Sequence, residues 1–123
     1  MDDYDHFFVK CKYNDTFWYR FTQYMYYLIQ DQQFTITLDK IICGWNIEKH
    51  EYNFANILID LASFAIYKSK LIYNDTNKVT PIIVLFTLEI KKLDEIISNS
   101  TRKLRVNVDE QKLYNCKVYW NIK

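Results

Sequence analysis

The chain of 123 residues contains only one glycine, Gly44, and one proline, Pro81. Sandwiches, barrels and other all-β folds need many tight turns, and glycine and proline are the residues that most often form them. Half of the residues are hydrophobic and 18% are aromatic, which is enough material for a core. The scarcity of turn residues therefore predicts an all-α fold, in a single domain over residues 1–123, with long helices and few tight turns.

Two long segments show the apolar spacing of helices. The first begins after Asn14 or Asp15, either of which can cap a helix, and runs to about Gln30. The second covers residues 50–73, and it is apolar around so much of its circumference that we expect a buried central helix. The apolar residues that mark this spacing are Phe54, Ile57, Leu58, Leu61, Phe64, Ala65, Leu71 and Ile72.

A third main helix and a weaker fourth one are predicted in the second half of the chain. Thr80 and Pro81 form a start signal, because threonine caps helices and proline is favoured at the first helical position. This third helix is expected to end near Ser98, and residues 74–78 before it indicate a polar loop. Residues 109–120 predict the weaker C-terminal helix.

The segment between the first two helices has a different pattern. Residues 34–38 alternate apolar and polar side chains, which indicates either one short strand or an extended connection. Residues 39–43 can form a single helical turn, and Gly44 is suited to close it in a left-handed conformation.

Charge is distributed unevenly, although the formal net charge is only +1. Residues 1–67 carry five basic and nine acidic residues, a net −4, whereas residues 68–123 carry eleven basic and six acidic residues, a net +5. A positive segment attracts a phosphate backbone regardless of base sequence, although such a bias is often only a solvated face. The candidate nucleic-acid contacts are Lys91, Lys92, Arg102, Lys103 and Arg105, with Tyr114 and Trp120 as candidate stacking residues, of which we expect Trp120 to be buried.

No set of residues predicts catalysis. One glycine cannot build a glycine-rich phosphate loop, and the two histidines, His6 and His50, lie in no acid–base or nucleophile pattern. Asp60 falls within the apolar second helix, and we expect it at the solvent edge. We therefore expect neither an enzyme nor a small-molecule substrate.

The cysteines and the first residues of the chain indicate the cellular compartment of the protein. Three widely spaced cysteines do not indicate a disulfide framework. The acidic start is unlike a secretory signal, and no apolar stretch reaches the ~20 residues that a membrane span needs. We expect a cytoplasmic or nuclear protein without a membrane partner.

A candidate metal half-site lies near the beginning of the chain. His6 and Cys11 are separated by four residues, most of them apolar, a spacing common in the second ligand pair of a tetrahedral zinc site. The two missing ligands would have to come from Cys43, His50, Cys116 or a partner chain. Because two donors hold zinc far more weakly than four, no tightly bound cofactor is expected unless those ligands are supplied.

The order of these features extends over much of the chain. In sequence they are His6 and Cys11, Phe17-Trp18, an amphipathic helix, residues 37–42 before Gly44, residues 56–70, and a helix from Pro81 through Glu89-Ile-Lys-Lys-Leu. From about Asp5 to Glu95 this series resembles the C-terminal tail of the reverse transcriptase of LINE-type (non-LTR) retrotransposons.

The resemblance implies a non-catalytic role. In that family a Cys-Cys-His-Cys zinc knuckle precedes a helical tail that helps to grip RNA or DNA, and the polymerase and endonuclease lie far upstream. By this resemblance residues 1–13 are half of the knuckle, with His6 and Cys11 as its third and fourth ligands, and residues 14–123 are the tail. The expected residual function is RNA or DNA binding.

Two alternatives stay open at this point. One is a helical protein–protein interaction module. Its aromatic contact surface would be formed by Tyr24, Tyr26, Tyr27, Tyr67 and Tyr73. The other is a translated relic of the retrotransposon without a function.

Overall fold

A computed structural model of the chain describes residues 3–99 and 109–122. Within these residues the fold is all-α and contains no strand, as the scarcity of turn residues predicts. The helices are α1 (Asp3–Asp5), α2 (Asp15–Ile29), α3 (Leu38–Cys43), α4 (Asn53–Thr76), α5 (Ile82–Asn99) and α6 (Glu110–Tyr119). A π-helical segment, His6–Lys10, and two 3-10 turns, Lys12–Asn14 and His50–Tyr52, complete the regular structure described.

The predicted set of three main helices and a weaker C-terminal helix is confirmed by α2, α4, α5 and α6. Residues 34–37 form the extended connection rather than the strand. The single helical turn after them is α3, which begins one residue earlier than predicted. Thr37 caps it, because its Oγ1 accepts a hydrogen bond from the Lys40 backbone N–H at 3.3 Å.

The only glycine closes α3, at the predicted place. Gly44 has a φ of +83°, a conformation that residues with a side chain rarely adopt, and a Cβ here would collide with the Ile47 side chain. Asn56 of α4 holds the turn, since its Oδ1 accepts from the Trp45 N–H and its Nδ2 donates to the Trp45 carbonyl, each at 2.7 Å. The turn is therefore fixed to α4.

The second predicted helix differs at both ends. It begins at Asn53, after a 3-10 turn, and continues to Thr76, so the predicted polar loop at 74–78 is wrong for its first three residues. The Thr76 hydroxyl in the last turn donates a hydrogen bond to the Ile72 carbonyl at 2.7 Å. Asn77 ends the helix in a left-handed conformation with φ 56°.

The core lies where α4 packs against α2 and α5, with α6 closing one side. Phe86 of α5 is fully buried, and its ring centroid lies 5.2 Å from Phe17, 5.7 Å from Phe21 and 5.2 Å from Trp120. Edge-on aromatic contacts of this kind add to the free energy gained from burial. One aromatic cluster thus joins α2, α5 and the end of α6.

The expectation that α4 is buried all around is wrong on one side. Residues such as Leu58, Ala62 and Ala65 are fully buried, but Phe64 is 47% exposed and Leu71 is 43% exposed. The periodicity of α4 offers apolar side chains to more than one side, whereas its buried residues lie on the side that meets the core. An apolar strip of α4 therefore faces solvent.

Candidate nucleic-acid interface and half zinc knuckle

The two candidate zinc ligands lie in different environments. His6 begins the π-helical segment and is exposed, whereas Cys11 is buried. Lys70 of α4 reaches Cys11, with its Nζ 3.1 Å from the thiol sulfur. The Lys70 ammonium also lies 5.7 Å from the ring centroids of Phe7 and Tyr13, within the range of cation–π attraction. Cys11 is therefore paired with a cation.

Asn14 attaches the first segment, residues 3–13, to the rest of the fold. It is fully buried, and its Nδ2 donates to the carbonyl oxygens of Phe7 at 2.9 Å and Phe8 at 3.2 Å. Trp18 Nε1 donates to the same Phe8 carbonyl at 2.6 Å. The prediction that the Asn14 side chain caps α2 is wrong, because that side chain is committed to residues 7 and 8.

The donors proposed to complete the zinc site are separated. Cys43 is exposed at the end of α3, His50 is exposed in the turn before α4, and Cys116 is buried in α6. Within residues 3–99 and 109–122, no three His, Cys, Asp or Glu side chains form a group that could hold a metal ion. The described residues thus do not fit a tetrahedral zinc site, and zinc at His6 and Cys11 would need donors from elsewhere.

A cavity of about 430 Å³ lies between the first segment and the end of α4. Cys11 and Lys70 line it together with Tyr13, and the Ser69 hydroxyl in its wall donates to the Thr80 carbonyl at 3.1 Å. Sequence patterns missed this cavity, because Cys11 and Lys70 stand 59 positions apart. Its lining brings a thiol, an ammonium group and a phenol together.

The candidate nucleic-acid contacts are only partly within the described chain. Lys91 and Lys92 are exposed on α5. Lys92 Nζ lies 3.4 Å from a carboxylate oxygen of the buried Glu89, which Lys68 also approaches to 3.2 Å. The other three candidates, Arg102, Lys103 and Arg105, lie outside the described residues.

The tyrosine surface predicted for a protein-binding module is partly buried. Tyr24 is fully buried, so its prediction as a surface residue is wrong, and burial raises the pKa of its hydroxyl. Burial likewise raises the pKa of the neighbouring Cys116 thiol to about 11, so this thiol stays protonated at neutral pH. Tyr114 is exposed, and the expected burial of Trp120 is confirmed.

The predicted solvent-edge position of Asp60 is confirmed, since it lies on the exposed side of α4. Partial burial raises the pKa of its carboxyl group. The raised pKa means that the ionised carboxylate destabilises the fold. That destabilisation is absent below the ordinary pKa of aspartate, near pH 4, and develops as the pH rises through the folded value.

Replacing Asp60 with asparagine is expected to raise the free energy of unfolding at pH 7. The gain should stay below about 1 kcal/mol, because solvent screens a partly exposed carboxylate. It should vanish at pH 3, where both states are protonated. Urea unfolding of the dilute chain at both pH values measures it. Asp39→Asn is the control and should instead lower the free energy of unfolding, since a carboxylate in the first turn of α3 is favourable. A gain in stability of Asp60→Asn that persists at pH 3 would contradict the prediction.

Comparison with known proteins finds no matching family model, no matching curated protein and no matching solved structure. The likeness to reverse-transcriptase tails therefore depends on the order of motifs in the sequence. Over residues 3–99 and 109–122, none of the helices combines the length and the apolar character that crossing a membrane requires.

Proposed function

We propose that the chain is a non-catalytic helical protein that binds RNA or DNA through a basic segment that begins in α5 and continues after it in the sequence. The observation that carries this proposal is the net charge of +5 over residues 68–123. Lys91 and Lys92 are exposed in the middle of α5, and three further basic residues follow in the sequence at positions 102, 103 and 105. Likeness to the nucleic-acid-gripping tail of LINE-type reverse transcriptases supports the same function.

Binding of this kind depends on phosphates rather than on bases. Each lysine or arginine that neutralises a phosphate releases counterions, so the affinity falls as salt rises. For single-stranded nucleic acid, the logarithm of the binding constant falls with a slope of about 0.7 for each phosphate contact. The slope therefore counts the contacts made by the basic segment.

Replacing Arg102, Lys103 and Arg105 together with alanine is expected to weaken binding to single-stranded RNA at least about tenfold at low salt and to flatten the salt slope by about 2. Filter binding at a series of salt concentrations measures both quantities. The matched control replaces three exposed lysines, Lys12, Lys49 and Lys78, with alanine and so removes the same amount of charge.

Three results would overturn this proposal. The first is an unchanged chain that fails to bind RNA at low salt, and the second is binding without salt dependence. The third is an equal loss in the two triple variants, which would make the binding a general effect of net charge. The origin in a reverse transcriptase is tested separately by the coding sequence before Met1, where an in-frame Cys-x-x-Cys pair and a polymerase domain are expected.

A second candidate function is protein association, and a specific observation favours it. Phe64, Tyr67 and Leu71 follow one another along α4 with 47%, 46% and 43% of their surface exposed. Large apolar side chains aligned along one helix are typical of contact surfaces between chains, whereas scattered ones are ordinary. This candidate does not depend on nucleic-acid binding.

A further inference from the structure

The solvent side of α4 carries a continuous stripe. We use the name α4 stripe for Ile57, Asp60, Leu61, Phe64, Tyr67, Lys68 and Leu71. At 3.6 residues per turn, all seven lie within about 60° of Phe64 around the helix axis. Each is exposed or half-buried. The spacing of three and four residues is that of the seam along which two helices pack.

The α4 stripe is self-complementary about Phe64. Ile57 and Leu71 stand seven residues to either side of it, and both are apolar. Leu61 and Tyr67 stand three residues to either side, and both are largely apolar. Asp60 and Lys68 stand four residues to either side, and they carry opposite charges. Two antiparallel copies related by a two-fold axis at Phe64 would therefore pair apolar with apolar and acid with base.

The ion pairs within a single copy still allow Asp60 and Lys68 to pair with a second copy. Among the described residues, no ion pair involves Asp60. Lys68, in contrast, shares the Glu89 carboxylate with Lys92, so that one anion is approached by two cations. The α4 stripe thus has an acidic position without a counterion and a basic position with a shared one. A second copy would supply a cation to each Asp60.

We infer that the chain forms an antiparallel homodimer in which the α4 stripes of two copies pack across a two-fold axis at Phe64. The inference rests on the second candidate function, protein association, and names the partner as a second copy. A stable interface usually buries about 800 Å² on each partner, and one helix face covers less. We therefore expect a reversible dimer with a dissociation constant that is roughly micromolar or weaker.

Sedimentation equilibrium under reducing conditions tests the inference. The native chain is expected to shift from monomer to dimer mass as its concentration rises to several hundred micromolar. Phe64→Asp should weaken the dimer at least tenfold, because it places two carboxylates against each other at the axis. Val84→Asp is the matched control, since Val84 is 46% exposed but lies on α5, outside the α4 stripe. Circular dichroism verifies that both variants fold.

Cysteine crosslinking tests the register, in a Cys43→Ser background because Cys43 is exposed. Ile57→Cys mixed with Leu71→Cys should form a disulfide between the two kinds of chain. Ile57→Cys alone should not, because two copies of position 57 would stand about 21 Å apart along antiparallel helices, beyond the ~7 Å limit for a disulfide. Crosslinking of Ile57→Cys alone, without the mixed product, would indicate parallel packing and overturn the inference.

The remaining outcomes distinguish the homodimer from protein association in general. A native chain that stays monomeric at several hundred micromolar overturns the homodimer but not association with a different protein. A dimer that Phe64→Asp and Val84→Asp weaken equally supports protein association and overturns the α4 stripe as its interface. RNA binding by a monomeric chain would leave the first proposed function intact.

Discussion

Replacing Phe86 with alanine is expected to lower the free energy of unfolding by about 3–5 kcal/mol, the usual range for truncating a buried phenylalanine. The Phe86 side chain is fully buried, and rings of Phe17, Phe21 and Trp120 surround it. These three residues belong to α2 and to the end of α6, so rigid elements on several sides would have to move to fill the space. We expect them to do so only partly, which leaves a cavity.

Phe64→Ala is the control that removes the same group from an exposed position. Phe64 is about half exposed, so its loss should lower the free energy of unfolding by less than about 1 kcal/mol. Urea unfolding monitored by circular dichroism, with the chain dilute enough to be monomeric, compares the two. Equal losses in both variants would contradict the placement of Phe86 at the centre of the core.

Replacing Asn14 with aspartate is expected to destabilise the chain by about 2–4 kcal/mol at pH 7, although the two side chains have nearly the same shape. The Asn14 amide donates to two backbone carbonyls, those of Phe7 and Phe8, from a fully buried position. A carboxylate would place a negative charge against both oxygens. Below its pKa the new carboxyl can donate one hydrogen bond, so part of the stability should return at pH 4.

Hydrogen exchange locates the effect of this substitution. Faster exchange is expected over residues 6–14 of the Asn14→Asp variant, because the carbonyl groups of Phe7 and Phe8 lose the hydrogen bonds from the Asn14 amide. The control is Asn53→Asp, at the half-buried first residue of α4, where a carboxylate is compatible with the helix dipole and should change the stability little. A uniform increase in exchange over the whole chain would contradict a local role for Asn14.

The pairing of Cys11 with Lys70 changes how the first segment is understood. Sequence spacing presents His6 and Cys11 as two ligands of one metal. In the fold, the thiol lies 3.1 Å from an ammonium group of α4, and the imidazole is exposed. The Lys70 cation beside the sulfur would repel a divalent metal ion bound at Cys11. The contact instead stabilises the first segment against α4 at one wall of the cavity.

Local patterns were sufficient for most of the secondary structure. The helical spacing of apolar residues predicted α2, α4, α5 and α6, and the lone glycine marked the end of α3. The beginning of α5 was predicted within two residues, because Thr80-Pro81 is a start signal read from neighbouring positions. The end of α4 was missed, since Asn77 rather than a residue near Tyr73 adopts the left-handed conformation that ends it.

The sequence by itself thus determined an all-α chain with three main helices and a weaker fourth, because helix formation depends on residues three and four positions apart. Only the tertiary structure decided that Phe64 and Leu71 face solvent, that Asn14 holds residues 7 and 8, and that Lys70 meets Cys11. Those outcomes depend on which helix faces pack against other segments of the chain. That choice is made by packing between segments distant in sequence, and periodicity along one helix does not contain it.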